Sequence, residues 1–361
     1  MNKNSKIYIA GHTGLVGSSL LRRLKADGYS RLLVRSHSNL DLIKQADVED
    51  FFQAEKPEYV FLAAAKVGGI VANNTYPAEF IHSNLAIQTN VIHTAWKTGV
   101  KRLFFLGSSC VYPKECPQPM KEDYLRTGPL EPTNEPYAVA KIAGIKMCQS
   151  YNRQYGTQYI SLMPTNLYGP NDNFDLETSH VLPALIRKFH LAKLTNQGDW
   201  AKIKKDEEKY GNIPDDIKVS VGLRTSNSDL QFGPCDALPS VLLWGTGNPR
   251  REFLHVDDLA DACIYISKLN EKNFHRLIND EKTPLINIGC GEDRTIREIA
   301  AMVGKVVEYK GDVKWDLNKP DGTPQKLLDI SKIKELGWKP KIGLKDGIRS
   351  VYQWYLNGSE N

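Results

Sequence analysis

The chain is 361 residues long, with 41% hydrophobic and 25% charged residues, which is ordinary for a globular protein with a sizeable core. Its 47 basic and 42 acidic residues leave a net charge of +5, too small a surplus to indicate a nucleic-acid-binding surface. The six cysteines form no C-x-x-C pair, so no metal site is expected. The sequence opens on no signal-peptide block and contains no apolar run long enough to cross a membrane. A cytoplasmic protein with reduced thiols is therefore expected.

Over the first 180 residues, short apolar runs alternate with amphipathic stretches. The runs that predict strands are KIYIAG from Lys6, LLV from Leu32, YVFLAAA from Tyr59, RLFFLGSS from Arg102 and QYISLMPTNLYG from Gln158. The stretches that predict helices are 15–26, 47–53, 80–98 and 136–155. Apolar strands that alternate with helices are typical of a parallel sheet covered on both faces. The sequence therefore predicts an α/β fold with a Rossmann-type doubly wound parallel sheet over residues 1–180.

Residues 181–361 predict a smaller mixed α/β lobe, with some later segments returning to the first domain. Strands are predicted from Val241 and Pro284, and helices from Val256 and Thr295. Residues 194–240 differ from both patterns, because KIKKDEEKYGNIPDD lacks a clear apolar face and the following stretch is rich in Ser, Gly and Pro. We expect these residues to form a partly ordered insertion on the rim of the lobe.

The string GHTGLVG places Gly11, Gly14 and Gly17 directly after the first strand and at the start of a helix. Glycine permits the tight turn and lets a pyrophosphate approach the backbone, while the helix N-terminus supplies free N–H groups. The spacing is G-x-x-G-x-x-G, so the strand-turn-helix context carries the prediction of a dinucleotide site. Leu15 and Val16, between the last two glycines, are predicted to contact the same cofactor.

The end of the second predicted strand indicates which dinucleotide binds. An acid normally stands there when the ribose 2′-hydroxyl is bound, but here the chain has Arg35 and His37, and no acid before Asp41. Both side chains could receive a 2′-phosphate, so NADP is favoured over NAD. Solvated loop residues are the alternative.

Tyr137 and Lys141 are four residues apart in YAVAK and share one face of the predicted helix. A phenol of pKa about 10 is a poor acid-base catalyst at neutral pH, and we expect the nearby ammonium to bring its pKa closer to neutral. Ser108, at the end of the fourth predicted strand, is placed to hydrogen-bond a substrate carbonyl. The three residues together predict a carbonyl reductase site, although Y-x-x-x-K alone is common as a surface pair.

The glycine turn, the strand-end serine and Y-x-x-x-K together resemble the extended short-chain dehydrogenase/reductase family. Longer strings resemble one group in that family, the GDP-4-keto-6-deoxy-D-mannose 3,5-epimerase/4-reductases that produce GDP-L-fucose. The strings are GSSCVYP, EPTNEPYAVAKIAG, SYNRQYG, MPTNLYGPNDNF, SHVLPALIRKFH, WGTGNPRREFLHVDD and KPDGTPQKLLD. The similarity runs from about residue 6 to 355 and is interrupted only by residues 194–240.

This resemblance implies an NADP-dependent enzyme that inverts C-3 and C-5 of a GDP-linked 4-keto sugar and then reduces C-4. It implies that Cys110 and His180 exchange the C-3 and C-5 protons, and that Tyr137 protonates the C-4 oxygen. Further cofactor contacts implied are Leu106, Gly107, Lys141, Pro164, Asn166, Leu167 and His180. The implied substrate contacts are Lys188, Trp244, Arg251, Asp321 and, more weakly, Lys326. A homodimer is implied, with the helices that start at Phe80 and Pro136 packed across the two-fold axis.

Three departures from the group leave alternatives open. Thr13 stands where the group usually has Arg, which removes one expected 2′-phosphate contact, and Lys188 replaces an Arg, which loses a bidentate fork. The insertion at 194–240 is either a neutral surface loop or an element that reshapes the pocket for a sugar such as a GDP-4-keto-heptose. A C-4 reductase without epimerase activity is a further alternative. A non-catalytic cofactor-binding protein is disfavoured, because Ser108, Tyr137 and Lys141 are all present.

Overall fold

The structure is a computed structural model that describes residues 1–223, 239–279, 285–319 and 321–357. Its strands are β1 (Ile7–Ala10), β2 (Leu32–Leu33), β3 (Tyr59–Leu62), β4 (Arg102–Leu106), β5 (Gln158–Pro164), β6 (Asn166–Tyr168), β7 (Ser240–Trp244), β8 (Arg250–His255), β9 (Leu285–Ile288), β10 (Asp293–Thr295), β11 (Asp312–Asp316) and β12 (Gln325–Lys326).

The helices complete two layers around the strands. They are α1 (Leu15–Ala26), α2 (Gln45–Glu55), α3 (Ile70–Thr75), α4 (Pro77–Lys97), α5 (Glu135–Tyr155), α6 (Val181–Gln197), α7 (Trp200–Tyr210), α8 (Asp215–Ser220), α9 (Val256–Ser267), α10 (Glu271–Ile278), α11 (Ile296–Val307), α12 (Ser331–Glu335) and α13 (Leu344–Asn357). None of the helices in these described ranges is both long and apolar enough to cross a membrane.

The larger sheet has the strand order β2-β1-β3-β4-β5-β9, and all its neighbours pair in parallel. Its central strands are completely buried because helices cover both faces. The chain winds outward from β1 to β2 on one side and from β3 onward on the other, so the order reverses beside β1. Ligands bind at such a switch point in doubly wound sheets. The predicted Rossmann-type fold is confirmed, and the glycine turn follows β1 at this point.

One predicted strand is two strands in the structure. The sequence predicts that QYISLMPTNLYG continues as a single strand, but β5 ends at Pro164 and β6 begins at Asn166. Strand β5 lies in the larger sheet, whereas β6 pairs with β8 in the second sheet. The step occurs at Thr165, whose N–H donates to the carbonyl of Ile288 while its hydroxyl donates to the carbonyl of Glu252. The single-strand prediction was wrong because both halves are apolar, which hides the change of sheet.

The second sheet and its helices enclose a separate hydrophobic core. Strand β8 pairs with β6, β10 and β12, and β7 pairs with β11. Helices α6, α11 and α13 cover these strands with completely or almost completely buried side chains, such as Phe189, Ile299 and Val351. Strand β9 and helices α9 and α10 pack instead into the first core.

The first part of the predicted insertion is ordered and packed. The sequence predicts no clear apolar face after Lys202, but Ile203 of α7, Ile213 of the following turn and Ile217 of α8 are buried in the second core. That prediction was wrong because the apolar residues are few and widely spaced, and the intervening turn aligns them. Residues 224–238 of the predicted insertion lie outside the described residues.

Glu252 on β8 joins the two halves of the protein through a completely buried carboxylate. Its oxygens accept hydrogen bonds from the N–H of Gly291 at 2.7 Å and the N–H of Leu328 at 3.0 Å. Its carbonyl accepts a bond from the side chain of Asn166 at 2.8 Å. Burial raises the pKa of Glu252, and the backbone N–H donors oppose that rise.

We expect Glu252→Ala to lower the free energy of unfolding by about 3 kcal/mol, because two buried N–H groups lose their acceptor. Glu252→Gln keeps one acceptor oxygen, so it should lose less than half as much. Urea denaturation followed by circular dichroism measures both variants. Equal stability of the alanine variant and the unmodified protein would contradict the assignment.

Candidate active site

The glycine turn packs closely against neighbouring backbone at the end of β1. Gly11 has a φ of +83°, and a Cβ there would lie 2.8 Å from the backbone nitrogen of Ala64. A Cβ on Gly17 would lie 2.1 Å from the carbonyl oxygen of Gly11. Helix α1 starts after Gly14 without a side-chain cap and without an acid in its first turn, which contains Leu15 and Val16. The glycines allow this tight turn, and the uncapped N–H groups at the start of α1 fit a dinucleotide pyrophosphate.

The residues predicted to select the 2′-phosphate lie beside this turn with partners of their own. The Arg35 guanidinium is 2.7 Å from the carboxylate of Glu55 and donates to the carbonyl of Val34. His37 is 84% exposed and lies 3.7 Å from Asp41. A 2′-phosphate would therefore compete with Glu55 for Arg35, and would find His37 accessible.

Two of the predicted catalytic residues, Ser108 and Cys110, follow the end of β4. A Cβ on Gly107 would lie 1.9 Å from the terminal methyl of Met163, so the chain has no room for a side chain there. Ser108 then begins a single turn of 3₁₀ helix, and its hydroxyl oxygen accepts a bond from the N–H of Cys110 at 3.4 Å. This turn places the Ser108 hydroxyl and the Cys110 thiol side by side.

Helix α5 places Tyr137 and Lys141 against this strand end. Lys141 is buried, and its ammonium donates to the carbonyl of Leu106 at 2.8 Å. The same nitrogen lies 5.7 Å from the centre of the Tyr137 ring. The edge of Tyr137 meets Phe80 of α4 in a T-shaped contact with 6.3 Å between ring centres. The structure thus brings Ser108, Cys110, Tyr137 and Lys141 together.

The pKa of Tyr137 departs from its ordinary value in the direction opposite to the prediction. Burial raises it, and the neighbouring Cys110 raises it further. Burial also lowers the pKa of Lys141 to about 8, with Cys110 opposing that shift. The expected lowering at Tyr137 was therefore wrong for the chain alone, because desolvation of the buried phenol dominates the shift. At neutral pH the phenol is protonated and able to donate a proton.

Cys110 and His180 also have shifted pKa values. Burial raises the pKa of the Cys110 thiol, while Ser108, Lys326 and Lys141 act to lower it. The His180 ring is accessible from solvent, yet the protein around it lowers its pKa by desolvation. At neutral pH the site therefore holds a protonated thiol and a neutral imidazole, one able to donate and one able to accept a proton.

His180 stands at the start of α6, beyond the loop that follows β6. Its position is that of a helix N-cap, but its side chain makes no capping hydrogen bond. The preceding carbonyl of Ser179 lies against Gly69, where a Cβ would approach it to 2.7 Å. The ring is therefore not committed to the helix end, which leaves it available for a ligand.

The remaining predicted cofactor contacts lie where β5 passes into β6. Pro164 ends β5, and Asn166 and Leu167 begin β6. The Asn166 side chain uses its amide nitrogen to reach the carbonyl of Glu252, so it also fixes the second sheet.

The predicted substrate residues lie on several elements of the second half: Arg251 on β8, Lys326 on β12, Trp244 on β7 of the two-stranded sheet, Lys188 on α6 and Asp321 in a loop. Trp244 is 51% exposed at the end of β7. Asp321 accepts bonds from the N–H of Thr246 at 2.8 Å and from its hydroxyl at 2.6 Å, which anchors the turn after Trp244. Arg251 on β8 lies in register with Lys326 on β12. The region presents an exposed aromatic face and two cations, which suits a nucleoside diphosphate.

Lys326 faces Cys110 as well as this region. Burial lowers the pKa of Lys326, and Cys110 is the largest influence that raises it. Lys326 therefore lies close enough to Cys110 to influence its protonation, and it pairs in register with Arg251.

Lys188 has a neighbour that the sequence did not single out. Burial lowers the pKa of Lys188, and Asp216 on α8 of the insertion acts to raise it. Asp216 is an exposed acid in a charged stretch, so no local signal marks it, and only the folding of α8 brings it near Lys188.

We expect Gly17→Ala to weaken NADPH binding by at least about tenfold, because the new Cβ overlaps a backbone carbonyl that cannot move freely. Fluorescence titration with NADPH measures the dissociation constant. Gly343→Ala is the matched control, since nothing lies within 4 Å of a Cβ there. The same loss of affinity in both variants would show that the turn has no special role.

The pKa of about 8 for Lys141 predicts a pH dependence of NADPH affinity. Below that pH the ammonium is charged and can hold the ribose, whereas above it the amine becomes neutral and affinity falls. We expect the dissociation constant to rise above pH 8. Lys141→Arg should abolish this dependence because a guanidinium stays charged. An unchanged pH profile in Lys141→Arg would contradict the prediction.

Comparison with known proteins finds similar chains over the full length. The model of the NAD dependent epimerase/dehydratase family matches residues 7–206 and 228–279, and the break falls inside the predicted insertion. The chain is 52% identical to putative GDP-L-fucose synthase 2 of Arabidopsis thaliana over 356 residues, 99% of this chain and 93% of that protein. It is 48% identical to GDP-L-fucose synthase of Escherichia coli, with 98% of each chain covered.

A solved structure shares the whole architecture. A GDP-D-glycero-L-gluco-heptose synthase from Campylobacter jejuni, crystallised in the presence of NADPH, has a TM-score of 0.85 at 44% identity, with 99% of each chain covered. The fold, the glycine turn and the full-length similarity point the same way: the chain belongs to the NAD-dependent epimerase/dehydratase family.

Proposed function

We propose that this protein is an NADP-dependent enzyme that converts a GDP-4-keto-6-deoxy-mannose-type sugar into GDP-L-fucose, by epimerisation at C-3 and C-5 and reduction at C-4. The observation that carries the proposal is the cluster of Ser108, Cys110, Tyr137 and Lys141 beside the glycine turn. The relatives in Arabidopsis and Escherichia coli, both named as GDP-L-fucose synthases, support it over the full length.

The epimerisation uses the protonation states of Cys110 and His180. The C-3 and C-5 protons flank the C-4 ketone, so their removal gives a stabilised enolate. The neutral imidazole of His180 accepts a proton, and the Cys110 thiol returns one from the end of β4. Ser108 donates a hydrogen bond to the C-4 oxygen, which stabilises the negative charge that develops there.

The reduction uses the residues of α5. NADPH, when bound, supplies the hydride to C-4. Tyr137 donates its phenolic proton to the C-4 oxygen, which its raised pKa allows because the group is protonated before the step. The Lys141 ammonium lies 5.7 Å from the ring, and it stabilises the phenolate that remains.

The GDP portion binds among residues of β7, β8 and α6. Arg251 and Lys188 neutralise the diphosphate, and the exposed face of Trp244 offers a surface for the guanine ring. Asp321 holds the turn beside Trp244 through Thr246, so its part in binding is to fix that surface.

A GDP-4-keto-heptose is the second candidate substrate. It is favoured by the similarity to the Campylobacter jejuni heptose synthase.

We further propose a homodimer that acts in the cytoplasm. Helices α4 and α5 pack side by side and present an aromatic cluster in which Trp96 stacks on Tyr155 with 4.2 Å between ring centres, and Tyr155 is 44% exposed. Such a face suits burial against a second copy. The five described cysteines are free thiols, as expected in a reducing compartment.

Two variants separate the two half-reactions. Cys110→Ser should slow solvent deuterium incorporation at C-3 and C-5, measured without NADPH, by about 100-fold, because a serine hydroxyl is a far weaker acid than a thiol. It should leave the reduction of an already epimerised ketone within a few-fold. Tyr137→Phe should slow the reduction and leave the deuterium incorporation within a few-fold. The loss of absorbance at 340 nm measures the reduction.

Parallel assays with the hexose and the heptose ketone identify the substrate. NADPH oxidation with neither ketone would refute the proposed function. Oxidation without any deuterium incorporation would replace it with a C-4 reductase.

A further inference from the structure

Arg187 on α6 is a completely buried cation that the catalytic scheme does not use. Its Nε donates to Asp206 Oδ1 of α7 at 2.8 Å. Its two terminal nitrogens donate to the carbonyls of Phe174 at 3.1 Å, Tyr210 at 2.8 Å and Gly211 at 2.5 Å. The guanidinium therefore binds α7, the residue that follows α7, and the loop before His180 at once.

Asp206 is the counter-ion of this group and is itself buried. Its second oxygen accepts a bond from the hydroxyl of Tyr355 on α13. The Tyr355 ring stacks on Tyr210 with 4.6 Å between centres and 9° between planes. Burial raises the pKa of Asp206 and Arg187 opposes the rise, as expected for a carboxylate that has exchanged water for a single buried cation.

The segment held by this network carries two residues of the proposed site. Phe174 lies six residues before His180 in the loop after β6, and Lys188 is the next residue after Arg187 on α6. Helix α7, which supplies Asp206, begins in the predicted insertion. Through this ion pair, Asp206 of the insertion contacts the stretch 174–188 at Arg187.

We propose that Asp206 is a positioning residue, which acts through Arg187 to hold His180 and Lys188 in place for the GDP-4-keto sugar. The insertion then sets the geometry of the sugar site, in contrast to a neutral surface loop. The kinetic consequences of this inference rest on the proposed function. The structural part, in which the Asp206–Arg187 ion pair holds residues 174–188, does not.

Loss of one partner of a buried ion pair is costly, because the other charge stays buried without compensation. Without Asp206, Arg187 can regain solvent or new partners only if the loop at Phe174 or helix α7 moves. Either movement displaces His180 or Lys188. A displacement of about 1 Å can reduce a catalytic rate by up to about 100-fold.

Two tyrosines of α13 provide a matched pair of variants. Tyr355→Phe removes the hydroxyl that binds Asp206, whereas Tyr352→Phe removes a hydroxyl that binds His190 Nδ1 at 2.9 Å and does not reach α7. Asp206→Ala removes the whole counter-ion, and Asp206→Asn keeps an acceptor for Tyr355 or Arg187.

We expect Asp206→Ala to raise KM for the GDP-sugar and to slow solvent deuterium exchange at C-3 and C-5, each about tenfold. The kcat for reduction of an already epimerised ketone should stay within about threefold, because the α5 residues are not held by this network. Asp206→Asn should restore most of the loss, and Tyr355→Phe should show a smaller change in the same direction. Tyr352→Phe should show none.

Amide hydrogen exchange gives a readout that does not need the reaction. Peptides that cover 174–188 should exchange faster in Asp206→Ala and Tyr355→Phe than in Tyr352→Phe. If the unmodified protein turns over no GDP-sugar, the proposed function fails. Amide exchange alone then tests whether the Asp206–Arg187 ion pair holds residues 174–188. If Asp206→Ala does not fold, the comparison of the two tyrosine variants decides. Equal KM, exchange rates and amide protection in Tyr355→Phe and Tyr352→Phe would overturn the inference.

Discussion

The buried ammonium of Lys141 is the constraint on which the proposed catalytic site depends. A charge taken out of water is unfavourable unless polar groups surround it, and here the carbonyl of Leu106 accepts its hydrogen bond at 2.8 Å. That bond ties the middle of α5 to the end of β4, so Tyr137 and Ser108 cannot move independently. The Cys110 thiol shares the same electrostatic environment, because it shifts the pKa values of both Tyr137 and Lys141.

The first half of the protein was predictable because its physical signals are local. The apolar runs that form β1, β3 and β4 are buried on both faces, and the glycines after β1 occupy positions where a side chain would strike the backbone. The cluster of Ser108, Tyr137 and Lys141 followed from spacing together with the parallel order of the strands. Cys110 and His180 came from the family resemblance, because an isolated thiol or imidazole carries little signal of its own.

The parts that could not be predicted depend on tertiary contacts. The direction of the Tyr137 pKa shift is set by how deeply the ring is buried, which spacing does not reveal. Helix α7 has a mostly charged sequence, yet Ile203 and Asp206 are buried. Asp206 can be buried because Arg187 and Tyr355 of α13 bind its carboxylate. Strand β8 and Asp216 gave no periodic signal. Strand β8 matters because it pairs with β6, β10 and β12, and Asp216 because it acts on Lys188.

The change of sheet at Thr165 has a mechanical consequence. The larger sheet carries the glycine turn proposed to bind the dinucleotide, and the smaller one contains Arg251, a proposed contact of the sugar nucleotide. A single residue of main chain separates β5 of the first from β6 of the second. Glu252 clamps the same junction from β8. The two sheets are thus joined at this point both by covalent backbone and by hydrogen bonds to the carbonyl of Glu252, which limits how far their strands can separate at the junction.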